Sequence, residues 1–231
     1  MKSIGIPKTT IQFLKDLEKN NTREWFNANK ERFLREEDKM REFAEALHAE
    51  MRKYDLIDPM SGKQILFRIY RDTRFSKDKT PYKNNRSGGF KRSTARLRGG
   101  YYFHIQPGNQ SFLGGGFWAP NKEDLKRIRE EIAFDDKPLR KILSGKRFKD
   151  TFGTLQGDQV ITAPKGFPRD HPAIDLLRYK QFIVTRKFTD KEVLSDTFLN
   201  EANQTFKAMR PFFDYMSEVL TTDSNGRSLI D

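Results

Sequence analysis

Apolar residues along the first third of the chain recur at helical spacing. Phe13, Leu14 and Leu17 follow Thr9 and Thr10, either of which can cap a first helix, and Asn20-Asn21-Thr22 breaks it. Asn21 with Glu24 three residues on has the form of a capping box for the next helix. From about residue 22 to 54, Phe26, Phe33, Met40, Leu47 and Tyr54 recur every seven residues, with Phe43 and Met51 beside them. The pattern predicts one long helix carrying an apolar stripe on a charged body. Such a stripe docks on the protein's own sheet or serves a coiled-coil partner. Pro59 and Gly62 end the segment.

The period then changes to two. Ile65, Phe67 and Ile69 alternate with Arg68 and Tyr70, which predicts a strand with the apolar three on one face. Tyr101, Phe103 and Ile105 alternate likewise with Tyr102, His104 and Gln106. Pro107-Gly108-Asn109 signals a turn, and Ser111-Phe112-Leu113 reads as the return strand of a hairpin. Residues 80–100, rich in Gly, Ser, Asn and Arg, read as a long loop or irregular strands. Beyond them, Asn121 with Asp124 opens a helix bearing Leu125, Ile128 and Ile132, and Pro138 begins another with Leu139, Ile142 and Leu143. Residues 145–166 read as irregular. Asp170 is placed to cap a short helix, Phe182-Ile183-Val184 reads as a strand, and Thr189 with Glu192 forms a second capping-box pattern. A last helix is expected over about 196–220, bent at Pro211. Helices flanking a strand-rich centre predict an α+β fold, with a central, mainly antiparallel sheet and N- and C-terminal helices packed on it. A single domain over 1–231 is expected: a helical part over 1–58, a strand-rich basic centre over 63–118 and a mainly helical part over 119–231.

Composition narrows the chemistry. A chain of 231 residues suits one large domain, with 20 Phe and only 2 Trp as its aromatic core formers. The absence of cysteine excludes disulfides, thiolate zinc sites and a Cys nucleophile. No stretch approaches the ~20 apolar residues of a membrane span. Met1–Pro7 lacks the apolar run of a signal peptide, so a cytoplasmic protein is expected. The net charge of +12 is concentrated. Residues 63–98 hold twelve Lys or Arg against Asp72 and Asp78, so 12 − 2 = +10 falls in that window. A field of this kind recruits anions.

The densest chemistry lies in Phe67–Lys83. Arg68, Arg71 and Arg74 offer planar donor forks suited to phosphate or carboxylate, and Lys77, Lys79 and Lys83 add mobile charge. Tyr70, Phe75 and Tyr82 interleave aromatic faces, an arrangement that also serves single-stranded nucleic acid. Asp72 and Asp78 either face the ligand or pair with Arg71, Arg74 or Lys79 and lock the loop. Beside these cations they stay ionised and make poor general acids. His104 is the candidate for acid–base chemistry, sharing a sheet face with Tyr102; its alternative is a half-buried, hydrogen-bonded histidine. His48, His104 and His171 have no metal-ligand spacing, so no metal site is expected. Gly114-Gly115-Gly116 is read as a bulge or tight crossing beside Trp118 in preference to a phosphate cradle.

Several of these stretches carry a family resemblance. They are Phe13–Leu17 with Asn20-Asn21 and Glu24-Trp25-Phe26, the whole run Phe67–Lys83, Gly100-Tyr101-Tyr102 through His104, Gly114–Gly116, and Ala163–Phe167 with His171-Pro172. In this order they resemble the bacterial and fungal domain-of-unknown-function family 2461, except that 84–98 is more basic than that pattern. The resemblance implies an intracellular single domain and carries over no substrate, cofactor or catalytic residue. The residues themselves lead to an anionic, phosphorylated ligand held by the basic segment. If the protein is an enzyme, Arg and Lys would stabilise developing negative charge and His104 would move the proton. The alternatives are nonspecific nucleic-acid binding and a non-catalytic interaction module built on the striped helix. No pattern assigns a cofactor or an oligomeric state.

Overall fold

The computed structural model describes residues 4–223 and 225–230; Met1–Ser3 of the N-terminal stretch lie outside them. The chain forms two compact units. The first comprises Met1–Phe90, Tyr102–Leu113 and Lys187–Gln204; the second comprises Lys91–Tyr101, Gly114–Arg186 and Thr205–Asp231. A four-stranded antiparallel sheet in the order β1 (Arg86–Lys91), β2 (Gly100–Ile105), β3 (Ser111–Phe117) and β4 (Phe182–Phe188), with helices around it, makes the fold α+β.

In the first unit, α1 (Lys8–Lys19) buries Phe13, Leu14 and Leu17 as its spacing requires. Its N-cap is Pro7, not a threonine. Thr9 and Thr10 instead donate to the Glu36 carboxylate at 3.0 and 2.7 Å, tying α1 to the next long helix. The striped segment is two helices, α2 (Arg23–Ala28) and α3 (Lys30–Met51), broken at Asn29. Thr22 caps α2, and Asn21 is spent elsewhere. Along α3, Met40, Phe43, Ala44, Leu47 and Met51 are fully buried, so the stripe packs inside this unit. Phe43 stacks on Phe198 at 5.5 Å.

The expected strand over 65–70 is not regular. Ser61 and Gln64 form a capping box that pulls Gly62–Ile65 into a helical turn, α4. Leu66 and Tyr70 then make isolated antiparallel bridges to Gly88 and Tyr82. Phe67 is 45% exposed and does not share a face with buried Ile65 and Ile69. Conversely, the stretch expected as loop contains β1. Its buried positions are Arg86, Ser87, Gly88 and Phe90, and a strand with so few apolar side chains has no alternation to read. Gly88 is required by close approach: a Cβ there would lie 2.6 Å from the Ile65 carbonyl and 2.7 Å from the Phe103 ring. β2 buries Tyr101, Phe103 and Ile105 as the alternation predicts. The turn after it places Gly108 and Asn109 at φ 79° and 60°.

In the second unit, Gly114–Gly116 lie within β3, not between a strand and a helix. Gly116 has φ 134°, and a Cβ there would meet the Phe182 carbonyl at 2.2 Å. Asn121 caps α5 (Lys122–Phe134), accepting from the Asp124 amide at 2.7 Å. α6 (Lys137–Ser144) has Pro138 in its first turn, and α7 (Lys146–Phe152) occupies a stretch that read as irregular. α8 (Ile174–Leu177) starts at Ala173, not Asp170. Thr189 and Glu192, which belong to the first unit, form the expected capping box of α9 (Asp190–Val193). α10 (Phe198–Thr221) continues through Pro211 and buries Phe206, Met209, Phe212, Phe213 and Met216. Among the described residues, no helix is long and apolar enough to cross a membrane.

Candidate anion-binding groove

The basic motif forms a wide hairpin. Arg71 N–H donates to the Pro81 carbonyl at 2.9 Å and Lys83 N–H to that of Ile69 at 2.8 Å, flanking the Tyr70–Tyr82 bridge. Asn21 clamps the returning arm through both of its amide atoms. Its Nδ2 donates to the Tyr82 carbonyl at 2.9 Å, and its Oδ1 accepts from the Tyr82 amide at 3.1 Å. Inside the loop, the Arg71 guanidinium donates to Asp78 and to the Thr80 hydroxyl. Asp78 Oδ1 accepts from the Thr80 amide and hydroxyl, both at 2.9 Å. Arg71 first, then Thr80, draws the Asp78 carboxyl down to about 2. Asp72 accepts from Arg74 Nε at 3.0 Å and Nη2 at 2.7 Å, which holds its carboxyl below the usual range. Lys79 Nζ donates to the Thr73 carbonyl at 2.9 Å. Both aspartates therefore brace the loop as ionised acceptors and are unsuited to giving up protons.

Beside the root of this hairpin lies a groove of about 410 Å³. Arg71 and Asp72 line it from the loop, and Lys83 and Asn85 from the returning chain. Ser87 of β1, Tyr102 and His104 of β2, and Phe67 complete the wall. Lys83 is half-buried and, among the described residues, makes no ion pair. Burial, and then the neighbouring charges of Arg86 and Arg68, push its ammonium pKa down.

The histidine sits in a defined hydrogen-bonded chain. Gln106 donates its amide nitrogen to Gln110 at 2.8 Å, which leaves Gln106 Oε1 to accept from His104 Nε2 at 2.7 Å. The imidazole proton is thus on Nε2, and Nδ1 accepts from the Tyr102 hydroxyl at 3.0 Å. Tyr102 is in turn hydrogen-bonded to Ser87. Burial lowers the His104 pKa, with Lys83 adding to the effect against the Gln106 bond, so the ring is neutral at pH 7. Phe112 stacks on it at 4.8 Å. Burial also raises the Tyr102 pKa, so its phenol keeps its proton.

Of the residues singled out by sequence, Arg71, Asp72, Lys83, Tyr102 and His104 meet at this groove. Arg68 is exposed, and its charge reaches both Asp72 and Lys83. Tyr70 is half exposed, and Arg74, Lys77, Asp78 and Lys79 lie on the exposed loop. Tyr82 faces inward: it is 4% exposed and stacks on Phe26 at 3.9 Å, within the cluster of Phe13, Leu14, Leu17 and Ile69. Sequence reasoning missed Phe67, Asn85 and Ser87, and also Gln106 as the histidine's partner. The two polar wall residues lie in the stretch read as loop. The His104–Gln106 spacing was visible in the alternation but carried no recognised signal.

Some of the basic segment's charge is structural. Arg86 is buried with Glu37 at 2.8 Å, Arg92 pairs with Asp214, and Arg98 pairs with Asp124. Among the described residues, no group of three or more His, Asp or Glu is placed to hold a metal ion. His48 bonds the Asp58 carbonyl at 2.7 Å, and His171 accepts from the Ala173 amide.

A family described as conserved hypothetical protein, DUF2461, matches residues 9–215. No curated protein and no solved structure matches the chain.

Proposed function

This chain belongs to the DUF2461 family of conserved hypothetical proteins, and from its groove we propose that it binds a small anion, a phosphate ester or a carboxylate, between Lys83 and Arg71. The observation that carries this reading is Lys83, a half-buried ammonium without a carboxylate partner among the described residues, set in a concave wall. A buried charge left unpaired is costly, and a bound anion supplies the missing partner. Arg71, braced by Asp78 and Thr80, contributes a fixed fork. Ser87 and Tyr102 line the groove with hydroxyls linked to each other and to His104. His104, neutral and accepting at Nδ1, holds the Tyr102 hydroxyl in place at the groove wall. The groove's volume of about 410 Å³ suits a small molecule.

Thermal denaturation in inorganic phosphate, pyrophosphate and citrate tests the reading. A ligand that binds only the folded chain raises the midpoint. Lys83→Ala should weaken the binding about tenfold or more, the scale of a lost charge-assisted hydrogen bond. Equal midpoint rises in wild type and Lys83→Ala would remove the groove as the site.

A further inference from the structure

A second cavity, of about 690 Å³, lies wholly within the second unit, among α6, α7, α8 and the chain that follows α7. Its size is that of a pocket for a small organic molecule. Its charge is strongly one-sided. The one carboxylate on its wall, Asp175, is held by both arms of Arg140, at 2.7 and 3.0 Å. Arg140 Nε also donates to Asp136 at 2.6 Å. That pair is closed on itself and leaves the other cations uncompensated.

Lys137 and Lys141 of α6 and Lys149 of α7 reach the cavity, and among the described residues none of the three makes an ion pair. Arg178 is the more telling group. Its Nε donates to the Val160 carbonyl at 2.8 Å, which fixes the plane of the guanidinium. The side chain lines the cavity, is half-buried and has no carboxylate partner among the described residues, so its terminal nitrogens remain as donors. The opposite character comes from Leu143, Leu155, Leu176 and Tyr179. Tyr179 spends its hydroxyl on the Leu155 carbonyl at 2.9 Å, so what it offers the cavity is a ring. Gly153, at φ 72°, turns the chain out of α7 with open space where a Cβ would stand, which leaves the rim clear.

We propose that this cavity binds a small organic anion with a phosphate or carboxylate at one end and an apolar or aromatic body at the other. The lysines and Arg178 take the charged end, and the leucines and the Tyr179 ring take the body. An inorganic anion would satisfy only the first half of the site, and a polyanion would use the lysines without the apolar wall.

The test is calorimetric titration of the full chain with phenyl phosphate and, separately, with inorganic phosphate. It is run in a Lys83→Ala background, so that the groove of the first unit does not contribute. Phenyl phosphate should bind at least about tenfold more tightly than inorganic phosphate, because its ring removes apolar surface from water. Adding Lys141→Ala and Lys149→Ala, both at exposed positions that leave the fold intact, should weaken phenyl phosphate about tenfold. Arg178→Gln should do the same with an unchanged circular dichroism spectrum. The proposal is overturned if the double lysine variant binds as before, if the two ligands bind equally, or if neither binds. It is also overturned if an oligothymidylate binds with affinity that grows with its length while phenyl phosphate does not bind, since the face would then be a polyelectrolyte surface. A failure of Lys83 to matter for anions would leave this cavity's result untouched.

Discussion

At the scale of single residues, environment decides chemistry more than residue type does. His104 and His48 are both hydrogen-bonded histidines, yet only His104 has its basic nitrogen turned to a phenol in a groove. Its proton equilibrium predicts a pH signature. The unfolded imidazole titrates near 6.5, and the folded one resists protonation until lower pH. Protons in that window favour the unfolded chain, so His104 makes stability fall as pH drops through about 6.5. Wild type should therefore lose more of its melting midpoint than His104→Gln between about pH 7.5 and about pH 5.5. Parallel curves would show that burial does not hold the ring neutral. Asp78 has the opposite window. Its folded pKa of about 2 lies below the ordinary 3.8, so its stabilising pairing with Arg71 is present above about 4 and is lost toward about 2. At neutral pH, Asp78→Asn should loosen the 71–81 loop and speed tryptic cleavage at Lys77 and Lys79 several-fold. An unchanged cleavage rate would mean that Thr80 and the Tyr70–Tyr82 bridge hold the loop without the ion pair.

At the scale of elements, short side chains and reciprocal bonds set the groove's geometry. Asn21, just before α2, holds Tyr82 by two hydrogen bonds and so fixes the next residue, Lys83. Asn21→Ala should cost about 1–3 kcal/mol in chemical denaturation, since it strips partners from part-buried backbone groups. It should also weaken anion binding, although the asparagine touches no ligand. Asn21→Asp keeps only the acceptor and should recover part of the loss. Gly116→Ala in β3 combines a backbone angle that side chains rarely adopt with a contact of 2.2 Å to the Phe182 carbonyl. The expected cost is about 2–4 kcal/mol, and a loss under ~1 kcal/mol would show that β3 can shift away from β4. The close approach of strands explains Gly116, whereas at Gly115 a Cβ would meet the Phe213 ring at 2.7 Å.

At the scale of the whole molecule, the +10 of residues 63–98 overstates the local field that a ligand meets, because Arg86, Arg92 and Arg98 pair with carboxylates outside that window. Arg71, Arg74, Arg86, Arg92 and Arg98 are all engaged by carboxylates. What remains includes exposed Arg68, a scatter of exposed lysines and two cavities lined by further cations. These two kinds of charge should respond differently to salt. Oligonucleotide binding to the exposed cations should fall steeply between about 50 and about 200 mM salt, because each phosphate contact releases counterions. Binding of pyrophosphate in the groove should fall less, because partly buried pairs are screened less. Parallel losses would reduce the groove to part of a general basic surface.

The sequence by itself determined what depends on near neighbours along the chain. Those features are the inward faces of α1, α3 and β2, the Gly108-Asn109 turn, the Asn121 and Thr189 caps, and the α+β class that follows from them. Each is a matter of spacing or of a side chain bonding its own backbone a few residues away. β1 escaped because its buried positions hold Arg86, Ser87 and Gly88, and the 65–70 strand misled because a capping box outweighed its alternation. Only the tertiary structure decided which cations are paired. The partner of Arg86 is Glu37, 49 residues away, and that of Tyr82 is Asn21, 61 residues away. Desolvation and ion pairing are set by such distant neighbours. Arg86, paired and buried, and Lys83, half-buried and unpaired, therefore look alike in the sequence and differ in the fold.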